Sequence, residues 1–162
     1  MIYIITFIFF SLDYLLIYLI PSFYNNLSFL YPMLTLTLIV FLYKKVSNKN
    51  YLKIIFIIGF IYDILFSYIF LFNSLIFLMF AKIIKKIDKY IRCNLIVNIL
   101  LVCFFIFLYD LILFLIIYIS DYNIVLFKDL IYKFKNSLIL NVSFYCLIEF
   151  IIKKIEIRKK HI

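Results

Sequence analysis

The sequence predicts an all-α, polytopic membrane protein with about six transmembrane helices, the third and fourth forming a short hairpin, and both termini in the cytoplasm. Hydrophobic residues make up 69% of the 162 residues, whereas soluble domains are about 45–50% apolar. Mean hydropathy is +1.19. The 17 Lys and Arg residues fall in clusters between apolar runs, as in loops that flank membrane helices. We therefore expect a single integral membrane domain over residues 1–162.

Five apolar runs set the positions of the predicted helices. A helix needs about 20 apolar residues to cross about 30 Å of hydrocarbon. One run, residues 54–81, is long for one span and short for two. If it folds as a hairpin that turns near 67–73, the predicted spans are at about 2–20, 27–43, 52–67, 69–84, 93–120 and 136–152.

The charged loops favour the hairpin, because Lys and Arg collect on the cytoplasmic side of membrane proteins. With a hairpin, two basic loops lie on the same side as the basic C-terminal tail, and 121–135 becomes an outer connection. A re-entrant pair that stops short of the outer face is an alternative, since irregular backbone is tolerated at depth inside protein. The cytoplasmic basic loops are formed by Lys44, Lys45, Lys49, Lys82, Lys85, Lys86, Lys89 and Arg92.

Three acidic residues, Asp13, Asp63 and Asp110, lie deep in apolar segments. Each costs about 2.5–3.5 kcal/mol to insert at mid-bilayer and therefore needs a partner. Three interpretations stay open: acids whose hydrogen bonds hold the bundle together, an ion or substrate pathway, and contacts with a membrane helix of another protein. A proton relay would need a basic partner in the membrane, and the predicted spans offer none.

Polar and small residues mark the predicted helix contacts. Gly59, Asp63 and Ser67 recur every four residues and so share one helical face, which would bring a neighbouring helix close to the backbone at the one glycine. Asn141 lies on the predicted sixth span, where we expect its polar side chain to pack against a neighbouring helix. Together with Asp13 and Asp110, these are the candidate residues for helix packing or partner contact.

The residues needed for catalysis are missing from the sequence. One glycine cannot form a phosphate-binding loop, and the single histidine, His161, cannot be combined with a serine or cysteine nucleophile inside a span. We expect no enzyme activity, no cofactor, no metal site and no nucleic-acid binding.

Several segments resemble the bacterial rod shape-determining protein MreD family: Tyr31-Pro32-Met33-Leu34, residues 58–65 around Gly59 and Asp63, residues 108–112 around Asp110, and the closing helix with Asn136 and Asn141. The resemblance covers about 31–154. It departs at the hairpin turn, where Leu71-Phe72-Asn73 stands in place of the Leu-Gly that the family tends to have. Asn73 could partly replace that glycine, because Asn tolerates left-handed backbone.

The resemblance implies a non-catalytic scaffold of the cell-elongation machinery in the bacterial cytoplasmic (inner) membrane, which regulates cell shape and lateral peptidoglycan synthesis. The implied partners are an MreC-like bitopic membrane protein, RodA with a penicillin-binding transpeptidase, indirectly MreB filaments, and the lipid bilayer itself. The family is also similar in helix arrangement to the substrate-binding components of energy-coupling-factor transporters, and a vitamin-type transporter component is the alternative. Those components typically dock through alanines in the first span, which has none here, so the scaffold is favoured.

Overall fold

The computed structural model describes residues 2–19, 33–66, 70–91, 94–119 and 127–160, and within these ranges the chain is all-helical, without a strand. The helices are α1 (Ile2–Leu19), α2 (Leu34–Tyr43), α3 (Asn48–Phe66), α4 (Phe72–Tyr90), α5 (Leu95–Ile119) and α6 (Phe127–Lys160).

Helix α2 lies at the centre of the bundle. Every residue from Leu34 to Leu42 is buried, and the helix packs against the other five. Its ten residues rise about 15 Å, which is half of the roughly 30 Å of hydrocarbon in a bilayer. The core of the molecule therefore forms around a helix that begins inside the bundle and ends beside the exposed Lys44.

The outside of the bundle is apolar. Segments Leu95–Ile116 of α5 and Leu130–Lys154 of α6 are long and apolar enough to cross a membrane, and shorter apolar helical segments lie at Ile4–Leu16 and Leu34–Tyr43. Large side chains stay exposed on this surface, among them Phe7 at 72% and Ile96 at 70%. An all-helical fold with such an exterior is consistent with a membrane protein.

Helices α3 and α4 pack along each other as a hairpin. Leu71 immediately precedes α4 with φ 63° and ψ 4°, and is the one non-glycine residue with positive φ among the described residues. The left-handed residue of the turn is therefore Leu71 and not Asn73, which we expected to take this role. Asn73 instead lies in the first turn of α4, where its side chain is hydrogen-bonded.

Helix α6 begins at Phe127, nine residues before the start of the predicted span at 136. Its first turns pack at helical spacing: Leu130 is buried, and the ring of Phe134 lies 5.3 Å from that of Phe107. Much of the expected outer connection 121–135 is consequently helical. This difference places Lys133 on a helix that packs against α5.

Three contacts bring the basic segments to one end of the bundle. The Tyr43 hydroxyl, at the end of α2, donates to Asp88 near the end of α4 at 2.9 Å. The Lys85 ammonium lies 5.9 Å from the ring centroid of Tyr51, in the first turns of α3. Because an Asn98 to Tyr145 hydrogen bond of 2.9 Å joins the start of α5 to the C-terminal half of α6, that half of α6 lies at the same end.

Candidate functional site

Asp13 of α1 caps the first turn of α2. Its buried carboxylate accepts the Leu34 backbone N–H at 2.9 Å, the Thr35 backbone N–H at 2.8 Å and the Thr35 hydroxyl. The first four N–H groups of a helix lack partners within it, and their partial positive charge favours an anion. Met33, at the position before α2, makes no side-chain cap, so the cap comes from another helix.

Asp63 of α3 caps α4 in the same way. One carboxylate oxygen accepts the backbone N–H of Asn73 at 2.8 Å and its side-chain amide at 2.9 Å. The other accepts the backbone N–H of Ser74 at 3.0 Å and its hydroxyl at 2.7 Å. Leu71, which precedes α4, provides no side-chain cap. Four donors therefore surround one buried acid.

Both capped helix ends lie well inside the bundle. From Leu34 to Tyr43, and from Asn73 to Lys82, the helices rise about 14 Å, roughly half of a 30 Å hydrocarbon layer. A backbone N–H left unpaired at that depth costs several kcal/mol. This is a physical reason for two acids in so apolar a chain: each compensates a helix N-terminus that is buried inside the bundle.

Gly59 brings α4 into contact with α3 one turn before Asp63. A Cβ atom at this position would lie 2.5 Å from Ser74 Cα and 3.0 Å from Ser74 N, both shorter than a permitted contact. Gly59 and Asp63 thus meet the same first turn of α4. Ser67, the third residue of the predicted face, lies outside the described residues.

Two amides connect these caps to α5 and α6. Asn73 Oδ1 accepts the Tyr109 hydroxyl at 2.8 Å, which links α4 to α5. Asn141 Oδ1 accepts the Met33 backbone N–H at 3.0 Å, and its amide donates to the Ser137 carbonyl at 2.7 Å. The start of α2 is therefore held by α1 and α6 together.

Asp110 differs from the other two deep acids. The Lys133 ammonium lies 3.2 Å from Asp110 Oδ1, and apart from this ion pair no hydrogen-bond donor among the described residues reaches either oxygen. The side chain of Asp110 is 1% exposed and that of Lys133 30%. A basic partner for a deep acid does exist, where the sequence analysis expected none, because α6 starts earlier than predicted.

The predicted basic residues lie away from the acid-capped ends. Lys44, Lys82, Lys86 and Lys89 are exposed, and Lys45 and Lys85 are half-buried. The side chain of Lys49 and all of Arg92 lie outside what the structure describes. The basic residues and the acidic caps therefore occupy opposite ends of α2 and of α4.

Sequence reasoning did not identify the partners of the acids. The residues that donate with their side chains at the two caps are Thr35, Asn73 and Ser74, and Tyr109 and Lys133 contact the same group of buried polar residues. A usable signal was present at one of them: Asn73-Ser74 is the only pair of polar residues between Ser67 and Lys82, and such residues favour helix starts.

The arrangement is suited to holding α2 and α4 in fixed positions within the bundle, because the carboxylate oxygens of Asp13 and Asp63 are engaged by their N-termini. Comparison with known proteins gives one family: the sequence model described as rod shape-determining protein MreD matches residues 1–154. No curated protein and no solved structure shows significant similarity to the chain.

Proposed function

Because the chain belongs to the rod shape-determining protein MreD family, we propose that it is a non-catalytic scaffold of the cell-elongation machinery that regulates cell shape and lateral peptidoglycan synthesis. Proteins of this family are membrane proteins and structural components of shape determination. The family match over residues 1–154 is the observation that carries the proposal.

The network of buried acids supports a scaffold over an ion or substrate pathway. Asp13 accepts three hydrogen bonds and Asp63 four. A group on a transport pathway must exchange partners, whereas these donors are backbone and side-chain groups fixed in helix N-termini. In this proposal the acids fix the positions of α2 and α4, and these positions determine the shape of the surface that a partner would recognise.

The proposed partners are an MreC-like bitopic protein in direct contact, RodA with a penicillin-binding transpeptidase, and MreB filaments indirectly. Gly59, Asp63, Ser67, Asp110, Asp13 and Asn141 act in this proposal as the residues that shape the contact surface. Since Asp63 is buried, its effect on a partner would be transmitted through the position of α4.

The proposed topology is six spans in the bacterial cytoplasmic membrane, with both termini and the basic loops inside. The meeting of the basic segments at one end supports it, because cytoplasmic loops are rich in Lys and Arg. A membrane-impermeant maleimide tests it on intact cells, with the native cysteines replaced by serine. Cysteine introduced at Lys86 should stay unlabelled until the cells are opened, and cysteine at Lys128 should label at once; the reverse pattern would invert the topology.

The scaffold is tested in the organism by depletion and by co-purification. Depletion should turn rod-shaped cells round, and the tagged chain should recover an MreC-like bitopic protein in mild detergent. Asp63→Asn should remain in the membrane but recover less of that partner, whereas Ser143→Ala, on an exposed face, should recover as much as the native chain. Unchanged cell width after full depletion would refute the scaffold.

A further inference from the structure

We propose that the C-terminal half of α4 binds anionic phospholipid, with the headgroup on a stripe of lysines and the acyl chains on the apolar surface that continues it. The stripe consists of Lys82, Lys85, Lys86 and Lys89. This proposal does not depend on the scaffold function, because it concerns the surface of one helix and the lipid beside it.

Helical geometry places the four lysines together. At 3.6 residues per turn, they fall within an arc of about 100° around α4. Ile84 lies on the opposite side and is buried, and Ile83 and Ile87 pack against the core beside it. A basic amphipathic helix of this kind is typical of a membrane surface.

The one acidic residue of α4, Asp88, lies at the edge of the stripe, about 60° around the helix from Lys85. Its carboxylate accepts the Tyr43 hydroxyl at 2.9 Å, on the side that faces α2. Lys82, Lys86 and Lys89 are exposed, and none of them has an ion-pair partner among the residues that the structure describes. These three lysines therefore keep their positive charge for a ligand from outside the chain, whereas the Lys85 ammonium lies over the ring of Tyr51.

The same face of α4 turns apolar immediately before the lysines. Leu75 and Met79, 63% and 41% exposed, lie within about 60° of Lys82 around the helix. A ligand that covers the whole stripe must therefore be apolar along one part and anionic at its end. A phospholipid has this form, whereas a free phosphate or a soluble acidic protein has no apolar part to cover Leu75 and Met79.

The stripe is long enough to cross the headgroup layer of one leaflet and extends beyond it. From Lys82 to Lys89 the helix rises about 10 Å, somewhat more than the headgroup region of one leaflet, which is about 5–7 Å thick. Lys53, Lys153 and Lys154 are also exposed at this end of the bundle but lie on α3 and α6. These three lysines therefore serve as a control for Lys82, Lys86 and Lys89, because they carry the same charge at the same end of the bundle but lie on other helices.

The experiment measures lipid binding by the full chain, purified in a neutral detergent with phosphatidylcholine and titrated with phosphatidylglycerol. The triple variant Lys82→Gln/Lys86→Gln/Lys89→Gln is compared with Lys53→Gln/Lys153→Gln/Lys154→Gln, which loses the same charge. A lysine near an anionic leaflet changes affinity by roughly fivefold. The α4 variant should therefore bind phosphatidylglycerol at least tenfold more weakly than the native chain, and the comparison variant within threefold of it. Circular dichroism and gel filtration establish that both variants fold.

Two further measurements decide the nature of the ligand. Glycerophosphoglycerol, the headgroup without acyl chains, and polyglutamate should each fail to displace phosphatidylglycerol at the concentration at which the lipid saturates the site. Displacement by polyglutamate would favour an acidic protein as the partner, and displacement by the headgroup alone would remove the role of Leu75 and Met79. Equal loss of affinity in both triple variants, or equal binding of phosphatidylcholine, would overturn the proposal.

Discussion

Gly59 of α3 lies directly against the backbone of Ser74 in α4, so that a Cβ atom at Gly59 would come within 2.5 Å of Ser74 Cα. This contact brings the first turn of α4 within reach of Asp63, one helical turn further along α3. The two residues thus act together. Gly59 lets α4 approach α3 closely, and Asp63 accepts the backbone N–H groups of α4 that this approach buries.

Gly59→Ala should destabilise the protein. The clash is with backbone atoms, and overpacking of this kind costs about 1–3 kcal/mol, more than the roughly 1 kcal/mol that Ala gains over Gly in a helix. The midpoint of thermal unfolding in detergent, measured by circular dichroism, should fall. Because the clash is with Ser74 Cα, shortening the Ser74 side chain does not relieve it. The double variant Gly59→Ala/Ser74→Ala should therefore be no more stable than Gly59→Ala alone, and a return to the native unfolding temperature would contradict the geometry.

Asp63→Asn and Asp13→Asn should each lower the unfolding temperature. In the Asn variants one carboxylate oxygen is replaced by an NH2 group, which is itself a donor and faces the N–H and O–H donors of the helix end. A buried polar group without a partner costs about 1–3 kcal/mol. Asp63→Asn should be the more harmful, because Asp63 accepts four hydrogen bonds and Asp13 three. Ser143→Ala, which removes an exposed hydroxyl, is the control and should change little. Equal stability of both Asn variants and the native chain would show that the caps contribute nothing.

With Gly, Leu or Val at position 71, stability should decrease in that order. Leu71 has φ 63°, a left-handed conformation that costs a non-glycine residue about 1–2 kcal/mol and is worst for β-branched side chains. Gly removes this strain, although it loses the half-buried side chain, so Leu71→Gly should be at least as stable as the native chain. Leu71→Val should unfold at a lower temperature. A Val variant as stable as the Gly variant would indicate a different turn.

Asp110 and Lys133 should show strong coupling in a double-mutant cycle. Asp110→Asn leaves an inward-pointing ammonium without its counter-charge, and Lys133→Met leaves a buried carboxylate without one. Removing one partner of a fully buried pair costs about 3–5 kcal/mol; because Lys133 is 30% exposed, each loss should lie below that range. The variant Asp110→Asn/Lys133→Met should recover most of the stability, and additive losses would exclude a direct interaction.

The sequence was informative where one residue type stood out against a biased background. An acid or a glycine is unusual in an apolar run, and the spacing of Gly59 and Asp63 alone predicts that they share one helical face. Their partners were harder to find, because Thr35, Ser74 and Tyr109 are common residues whose importance depends on which helices meet. Helix contacts are long-range and are not encoded by local periodicity.

The start of α6 was missed for a related reason. Lys128, Lys133 and Lys135 interrupt the apolar pattern, so a hydropathy window begins the helix after them. In the fold, Asp110 compensates Lys133 at 3.2 Å, and Leu130 is buried. An ion pair between two helices lowers the hydropathy of both segments, and from the sequence alone neither charge can be placed between the helices without knowing its partner.

The burial of α2 has a consequence for the order of assembly during synthesis. Its first turn is held by Asp13, which the ribosome makes before it, and by Asn141, which follows Met33 by 108 positions. A ten-residue helix cannot remain alone across a bilayer, so α2 reaches its final environment only after α6 has been inserted. In a chain that stops before α6, the Met33 N–H therefore lacks its Asn141 acceptor. The last helix to be made completes the environment of the second.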